Sequence, residues 1–227
     1  MGETHKVTVA IDGPAGSGKS TVSKEVALRL GYAYVDTGAM YRSVALLGMR
    51  AGLAPDDREG FIAQAAAARM EFRVTDAGQR FLVNGEDLTD AVRDPEVGAL
   101  SSPVSAIPEV RKHLTATQQR MAAGGGVVME GRDIGTVVCP DAEVKVFVTA
   151  TPPERARRRY LELQAKGEDA TQEQVLAEIT ERDQRDSSRE VAPLRRAEDA
   201  VELITDGLSI DEVVGRIIDM VREAEAR

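Results

Sequence analysis

The stretch Val7-Thr8-Val9-Ala10-Ile11-Asp12-Gly13-Pro14-Ala15-Gly16-Ser17-Gly18-Lys19-Ser20-Thr21 decides how the chain folds. Val7, Val9 and Ile11 form an alternating β-branched run, which leads into a glycine-rich turn. After the turn, Val22, Val26, Ala27 and Leu30 are spaced for one face of a helix. Inside the turn, Gly13 to Ser20 matches Gly-x-x-x-x-Gly-Lys-Ser, a strand–loop–helix device for holding phosphates. The glycines let a phosphate approach without a Cβ in the way, and the helix adds its positive N-terminal end. Lys19 brings a compact charge to the β- and γ-phosphates, and the hydroxyl of either Ser20 or Thr21 can reach Mg²⁺. At this chain's own residue frequencies the four fixed positions match by chance roughly once in two hundred chains. The loop indicates a nucleotide without saying what is done to it.

The rest of the composition sets bounds. A length of 227 residues suits one large α/β domain with insertions. With no tryptophan and 4% aromatic residues, the core must be mostly aliphatic. A net charge of −9 argues against duplex nucleic acid or an anionic membrane as partner, while leaving room for a local basic pocket. Cys139 is the only cysteine, so no intrachain disulfide forms, and it reads as a small buried hydrophobe. His5 and His113 lack metal-ligand spacing and read as tail and surface residues. No apolar run reaches membrane length and no basic segment precedes an apolar one at the N-terminus, so the expected location is the cytoplasm.

Going outward from the loop, Tyr32–Val35 reads as a second strand ending at Asp36, and Thr37-Gly38 opens a helix carrying Met40, Val44, Leu47 and Ala51. An alanine-rich amphipathic stretch covers 56–69. The period then changes to a hairpin, 71–74 with 80–83 around Thr75 to Gln79, and Asn84-Gly85 is a further turn. Residues 60–102 therefore read as an insertion. A helix is expected from Pro103 to Met121, started by Pro103 or Pro108 with Ser102 as cap. Val127–Met129 and Val144–Val148 are strands, and Pro152-Pro153 starts an arginine-rich helix. Thr171 caps another helix running to about Arg189, Val201–Ile204 is the last strand, and a terminal amphipathic helix follows. Strands alternating with helices predict an α/β fold with a five-stranded parallel sheet and helices on both faces, its ligands gathered at the carboxyl ends of the strands. Those ends carry Asp12, Asp36-Thr37 and Glu130-Gly131-Arg132-Asp133.

Two helices place charges in apolar slots. Arg111 interrupts the stripe of its helix, and either snorkels to solvent or meets a carboxylate, a base edge or a phosphate. After Thr171, a stripe that starts with Val175 and Ile179 continues as Arg182, Asp186 and Arg189, which lie within roughly 60° of one another. This suggests a helix that leaves the core to line a cleft, or else a solvated salt-bridged face. Arg155, Arg157, Arg158 and Arg159 lean toward phosphate contact.

With Ile11 to Lys19, Asp36-Thr37-Gly38-Ala39-Met40-Tyr41-Arg42, Glu130 to Val138 and Glu181-Arg182-Asp183-Gln184-Arg185-Asp186 in order, the chain closely resembles the bacterial cytidylate kinases, from about Val7 to the terminal helix. The resemblance implies a three-layer P-loop kinase fold with a β-containing monophosphate-binding insertion and a helical lid. It divides the chain into core (5–36, 103–150, 171–227), monophosphate-binding region (37–102) and lid (151–170). It implies that ATP with Mg²⁺ phosphorylates CMP or dCMP, in a cytoplasmic monomer with no nucleic-acid or membrane partner. Carried over by position, Gly13, Pro14, Ala15, Gly16, Ser17, Gly18, Lys19, Ser20 and Thr21 hold ATP, with Arg155, Arg158 and Arg159 in the lid. Arg42, Arg132 and Arg189 resemble the clamp on the acceptor phosphate. Thr37, Ser102, Arg111 and Asp133 resemble the readers of the cytosine edge, and Arg182 and Asp186 the ribose contacts. Lys19, Arg132, Asp133 and Arg189 form the implied catalytic set. Thr37 stands where some relatives have serine and Glu130 where aspartate is also found. Ser20-Thr21 replaces Gly-Thr, so either hydroxyl is available to the metal. A rival reading as a nucleotide-dependent switch predicts a guanine-reading Asn-Lys-x-Asp tetrapeptide, which the chain lacks.

Overall fold

The computed structural model describes residues 6–75 and 78–227. His5 and the turn residues Asp76 and Ala77 lie outside the described residues. In chain order the elements are β1 (Thr8–Asp12), α1 (Lys19–Leu30), β2 (Ala33–Asp36), α2 (Thr37–Arg50) and α3 (Arg58–Ala67). Next come β3 (Met70–Thr75), β4 (Gly78–Val83), β5 (Glu86–Asp87), a 3₁₀ turn (Ala91–Arg93), α4 (Pro95–Val104) and α5 (Pro108–Ala122). β6 (Val127–Gly131), a single π-helical turn (Ile134–Val138), β7 (Val144–Thr149), α6 (Pro152–Ala165), α7 (Gln172–Ser187), β8 (Val201–Ile204) and α8 (Ile210–Glu225) complete the chain. The residues fall into two compact units, one reaching to Tyr34 and resuming at Ala122–Arg227, the other Val35–Met121.

The first unit is built on a five-stranded sheet in the order β2-β6-β1-β7-β8. Parallel pairing of β1 with β6 and β7 makes β1 a central strand. The register sets Asp12 opposite Gly131, so the Glu130-Gly131-Arg132-Asp133 segment leaves the sheet beside the glycine loop. One face of the sheet packs Val9, Ile11, Val128, Val146 and Val148 against Val22 and Val26 of α1 and Val213, Val214, Ile217 and Val221 of α8. Each fully buried aliphatic side chain there stabilises by roughly 1.5–3 kcal/mol. Gly13 takes φ 154°, and a Cβ at that position would lie 2.0 Å from the Val148 carbonyl oxygen. Only glycine lets the loop leave β1 while touching β7.

In the second unit, the hairpin expected at 71–83 forms as β3 and β4, paired antiparallel, with Phe72 and Phe81 stacked at 4.7 Å between ring centroids. Asn84 and Gly85 both take positive φ in the two-residue turn to β5, as a type I′ hairpin turn requires. One sequence expectation is overturned. The single helix from Pro103 to Met121 is two helices, and Ser102 caps neither. Asp94 caps α4 by accepting from Glu96 N, which puts Ser102 inside α4 with its carbonyl receiving the Ser105 hydroxyl. Pro108, not Pro103, opens a helix, because it lacks an N–H and holds Ile107 out of helical conformation. Asp94-Pro95-Glu96 is itself a helix-start signature that the apolar stripe obscured.

Candidate active site

The glycine loop ends at Gly18, whose left-handed conformation starts α1 with no side-chain cap and no acidic residue in the first turn. No capping side chain or first-turn carboxylate therefore competes with an anion for the positive end of the helix. Lys19 is buried, its Nζ donating to the Pro14 carbonyl at 3.0 Å. Ser17 Oγ is buried without a hydrogen-bond partner among the described residues. The Ser20 hydroxyl donates to Glu130 Oε2 at 2.9 Å, and the Tyr34 hydroxyl donates to the other oxygen of the same carboxylate. Thr21 instead lines a surface hollow with Glu25, Arg29, Ser209, Ile210 and Asp211.

Two groups brace this region: Asp12, which the sequence placed at a ligand-gathering strand end without its partners, and Thr205, which sequence reasoning did not single out. Asp12 accepts from Ile134 N and Gly135 N, each at 2.8 Å, and so closes the π-helical turn onto the end of β1. Burial pushes the Asp12 carboxyl up to about 6, against the pull of those two backbone N–H groups and Lys19. Thr205, just past β8, lies with Oγ1 3.4 Å from the Ser17 carbonyl and receives Arg158 Nη1 at 3.0 Å. The position of Asp12 directly before the glycine loop made it visible in the sequence, whereas Thr205 carries no such signal.

The four arginines at the start of α6 all have partners within the chain. Arg155 is buried, with Nη1 donating to the Ala15 carbonyl at 3.0 Å and the guanidinium paired with Asp183 of α7. Arg157 and Arg158 share Glu154, and their hydrogen bonds, Arg157's first, pull that half-buried carboxyl down to about 2. Arg158 also stands beside the loop, Nη1 lying 3.6 Å from where a Gly18 Cβ would be. Arg159 faces Glu162 on the surface.

Past β6, Arg132 Nε donates to Asp186 Oδ2 at 2.9 Å, and Arg189 Nη2 donates to Asp186 Oδ1. Burial raises the Asp186 pKa, but Arg132 and Arg189, with Arg182 behind them, more than offset this and hold it below the ordinary value. The α7 stripe begins buried at Val175 and Ile179 as expected; of its charged continuation Asp186 is also buried, Arg182 is exposed, and Arg189 lies past the helix end at Ser187. Asp133 is buried at the head of the π-helical turn. Cys139, half-buried, has its thiol pushed up to about 11 by burial, which leaves it inert.

Within the second unit, Asp36 caps α2 by accepting from Ala39 N and also pairs with Arg42 Nη2 at 3.1 Å. Arg42 Nε is buried with no hydrogen-bond partner among the described residues. Arg111 is buried, its guanidinium over the Tyr41 ring at 5.2 Å and Nη1 donating to the Ser105 carbonyl. Thr37 is buried at the first position of α2.

The cytidylate kinase family model matches residues 9–223. The chain belongs to the cytidylate kinase family. A cytidylate kinase of Geobacter sulfurreducens is 52% identical over 217 residues, covering 96% of this chain and 93% of the relative. That of Carboxydothermus hydrogenoformans is 48% identical over 213 residues, covering 94% and 96% respectively. Among solved structures, a shikimate kinase from Bacteroides thetaiotaomicron is similar in fold, with TM-score 0.50, 13% identity, and 96% of this chain and 99% of that one covered. Cytidylate kinases are nucleoside monophosphate kinases, and the family match spans every residue placed above, from the glycine loop to Arg189. Among the described residues no helix is long and apolar enough to cross a membrane.

Proposed function

We propose that the protein transfers the γ-phosphoryl group of ATP to the 5′-phosphate of CMP or dCMP, giving ADP and CDP or dCDP. The single observation that carries this reading is the family match over 9–223, which encloses both the glycine loop and the arginine-rich motifs. Both substrates are anions, so the central problem is bringing two phosphates together. Lys19 and the open N-terminus of α1 offset charge on the donor. Arg42, Arg132 and Arg189 do the same on the acceptor, and guanidinium forks suit phosphate oxygens. Thr37, Ser102, Arg111 and Asp133 read the cytosine edge. A carboxylate accepts from the exocyclic amino group, and Arg111 or a hydroxyl serves the ring nitrogen, a pattern that uracil partly reverses. Arg182 and Asp186 are assigned to the ribose.

The phosphoryl group moves in line through a loose transition state, so the protein contributes position and electrostatics rather than a nucleophile. The Ser20 hydroxyl beside the Glu130 carboxylate offers hard oxygen donors of the kind Mg²⁺ takes, so these residues fit the ion, with Ser20 favoured over Thr21. Bound with ATP, Mg²⁺ neutralises charge on the β- and γ-phosphates. Arg158, beside Gly18, and Arg159, in an exposed pair that costs little to break, are placed in a lid over 151–170. The monophosphate-binding region 37–102, a monomeric state and a cytoplasmic location belong to the same proposal. Phosphorus NMR of a mixture of protein, ATP, Mg²⁺ and CMP tests it. Equal amounts of ADP and CDP without free phosphate are expected, and accumulation of inorganic phosphate would contradict direct transfer.

A further inference from the structure

We infer that Arg155 acts on ATP indirectly, as a positioning residue that fixes the Ala15–Gly16 peptide of the glycine loop and is itself held by Asp183. The inference rests on the donor-site reading above and changes the part Arg155 plays in it. Arg155 belongs to the first turn of α6 and is 3% exposed. Its Nε donates to the Ala150 carbonyl at 2.9 Å, which locks the stem against the end of β7. Nη1 donates to the Ala15 carbonyl at 3.0 Å and to Asp183 Oδ1 at 3.1 Å, and Nη2 donates to Asp183 Oδ2. The guanidinium is thus committed on both edges, and a phosphate ligand would have to displace these partners.

The target of this fork is the informative part. In a planar trans peptide, the carbonyl of one residue and the N–H of the next point in opposite directions. Holding the Ala15 oxygen therefore sets which way the Gly16 N–H points, and in a loop of this kind that N–H is one of the groups offered to phosphate. The contact is backed by packing. Gly16 sits with φ +74°, and a Cβ on it would lie 3.4 Å from Arg155 Cβ and 3.8 Å from Ile179 Cδ1, so the loop leans on α6 and α7 together. Asp183 lies on α7, in the Glu-Arg-Asp-Gln-Arg-Asp motif, 28 residues from Arg155. It gives the buried cation a counter-charge without which the burial would be costly.

Charge alone makes the opposite forecast, and the difference gives the test. Asp183 is an anion near the phosphate loop, so neutralising it should favour a phosphate ligand by Coulomb's law, and freeing Arg155 should favour it further. Under the positioning role, Asp183→Asn instead weakens the ligand, because the fork loses its anchor. Binding of ADP and of a non-hydrolysable ATP analogue is measured by calorimetry for wild type, Arg155→Met, Asp183→Asn and the double variant, beside KM for ATP and for CMP. Each single variant is expected to bind the nucleotide about tenfold more weakly, with KM for CMP within about twofold of wild type. The double variant should be no worse than the weaker single one, and Asp183→Glu should recover part of the loss. Arg155→Lys supplies the same readout if Arg155→Met does not fold, since an ammonium cannot hold both acceptors in a planar fork. Equal or tighter binding by Asp183→Asn, losses that multiply in the double variant, or equal rises in KM for both substrates would each overturn the inference. Wild type that binds no adenine nucleotide would instead remove the donor reading beneath it.

Discussion

Both oxygens of the buried Asp186 carboxylate are taken by arginines that the proposal assigns to the acceptor phosphate. The carboxylate keeps two mutually repelling guanidinia side by side before any ligand arrives. Its folded-state pKa is depressed, so the stability it contributes is complete above the ordinary value of 3.8 and is lost as pH falls through the folded value. Asp186→Ala leaves the two cations uncompensated, and a loss on the order of 3 kcal/mol is expected. Urea melts at pH 7 and pH 3 check this, since the wild-type advantage should shrink at the lower pH. In steady-state kinetics the same variant should raise KM for CMP about tenfold while KM for ATP moves little. Asp12 has the opposite sign. Its pKa is raised to about 6, so its contribution is fully present below 3.8 and is lost as pH rises through about 6. At pH 8 the ionised, buried carboxylate therefore costs stability. Asp12→Asn removes that ionisation cost but leaves one buried N–H without its acceptor, so its stability relative to wild type is expected to rise by about 3 kcal/mol between pH 4 and pH 8. The same variant should be slower, because an amide cannot accept from Ile134 N and Gly135 N with two oxygens. Melting temperatures across pH 4–8 and kcat at pH 8 read both effects.

Among the elements, the junction of β1, loop and α1 is the most constrained. Gly13→Ala would drive a methyl into the Val148 carbonyl at 2.0 Å, backbone against backbone, with no flexible group to yield. A loss of more than about 3 kcal/mol together with loss of nucleotide binding is expected, measured by thermal melting and calorimetry. This junction was also the most legible part of the sequence, because its strand, turn and helix each follow from local spacing. The same holds for Thr171, whose capping box with Gln174 forms at the start of α7. Legibility failed where two local signals competed or where a partner lay far along the chain. Around 103–108 the apolar stripe ran through two prolines, and it concealed the break between α4 and α5. The π-helical turn at Ile134–Val138 depends on the Asp12 carboxylate, 122 residues away, and no periodicity announces it. The site showed the same division. The arginines were visible as residue types in odd places, but their partners Asp183, Glu154 and Thr205 were not, because pairing is a tertiary fact.

At the scale of the whole molecule, a chain of net charge −9 is proposed to bring together two anionic substrates. The long-range field does not favour this, so the work falls on locally placed cations, Lys19 for the donor and the arginine clamp for the acceptor. Lys19→Met should lower kcat by about a hundredfold to a thousandfold with an unchanged melting profile, since its charge is needed most as the phosphoryl group leaves. Under the proposal, specificity is set elsewhere, by the residues assigned to the base. The most direct measurement is therefore an acceptor screen: ADP formation from ATP and Mg²⁺ with CMP, dCMP, UMP, AMP and GMP supplied separately at equal concentration. Rapid turnover with CMP and dCMP, and rates lower by at least about tenfold with the others, is the predicted result. Equal rates with UMP or AMP, or brisk ATP hydrolysis with no acceptor present, would contradict it.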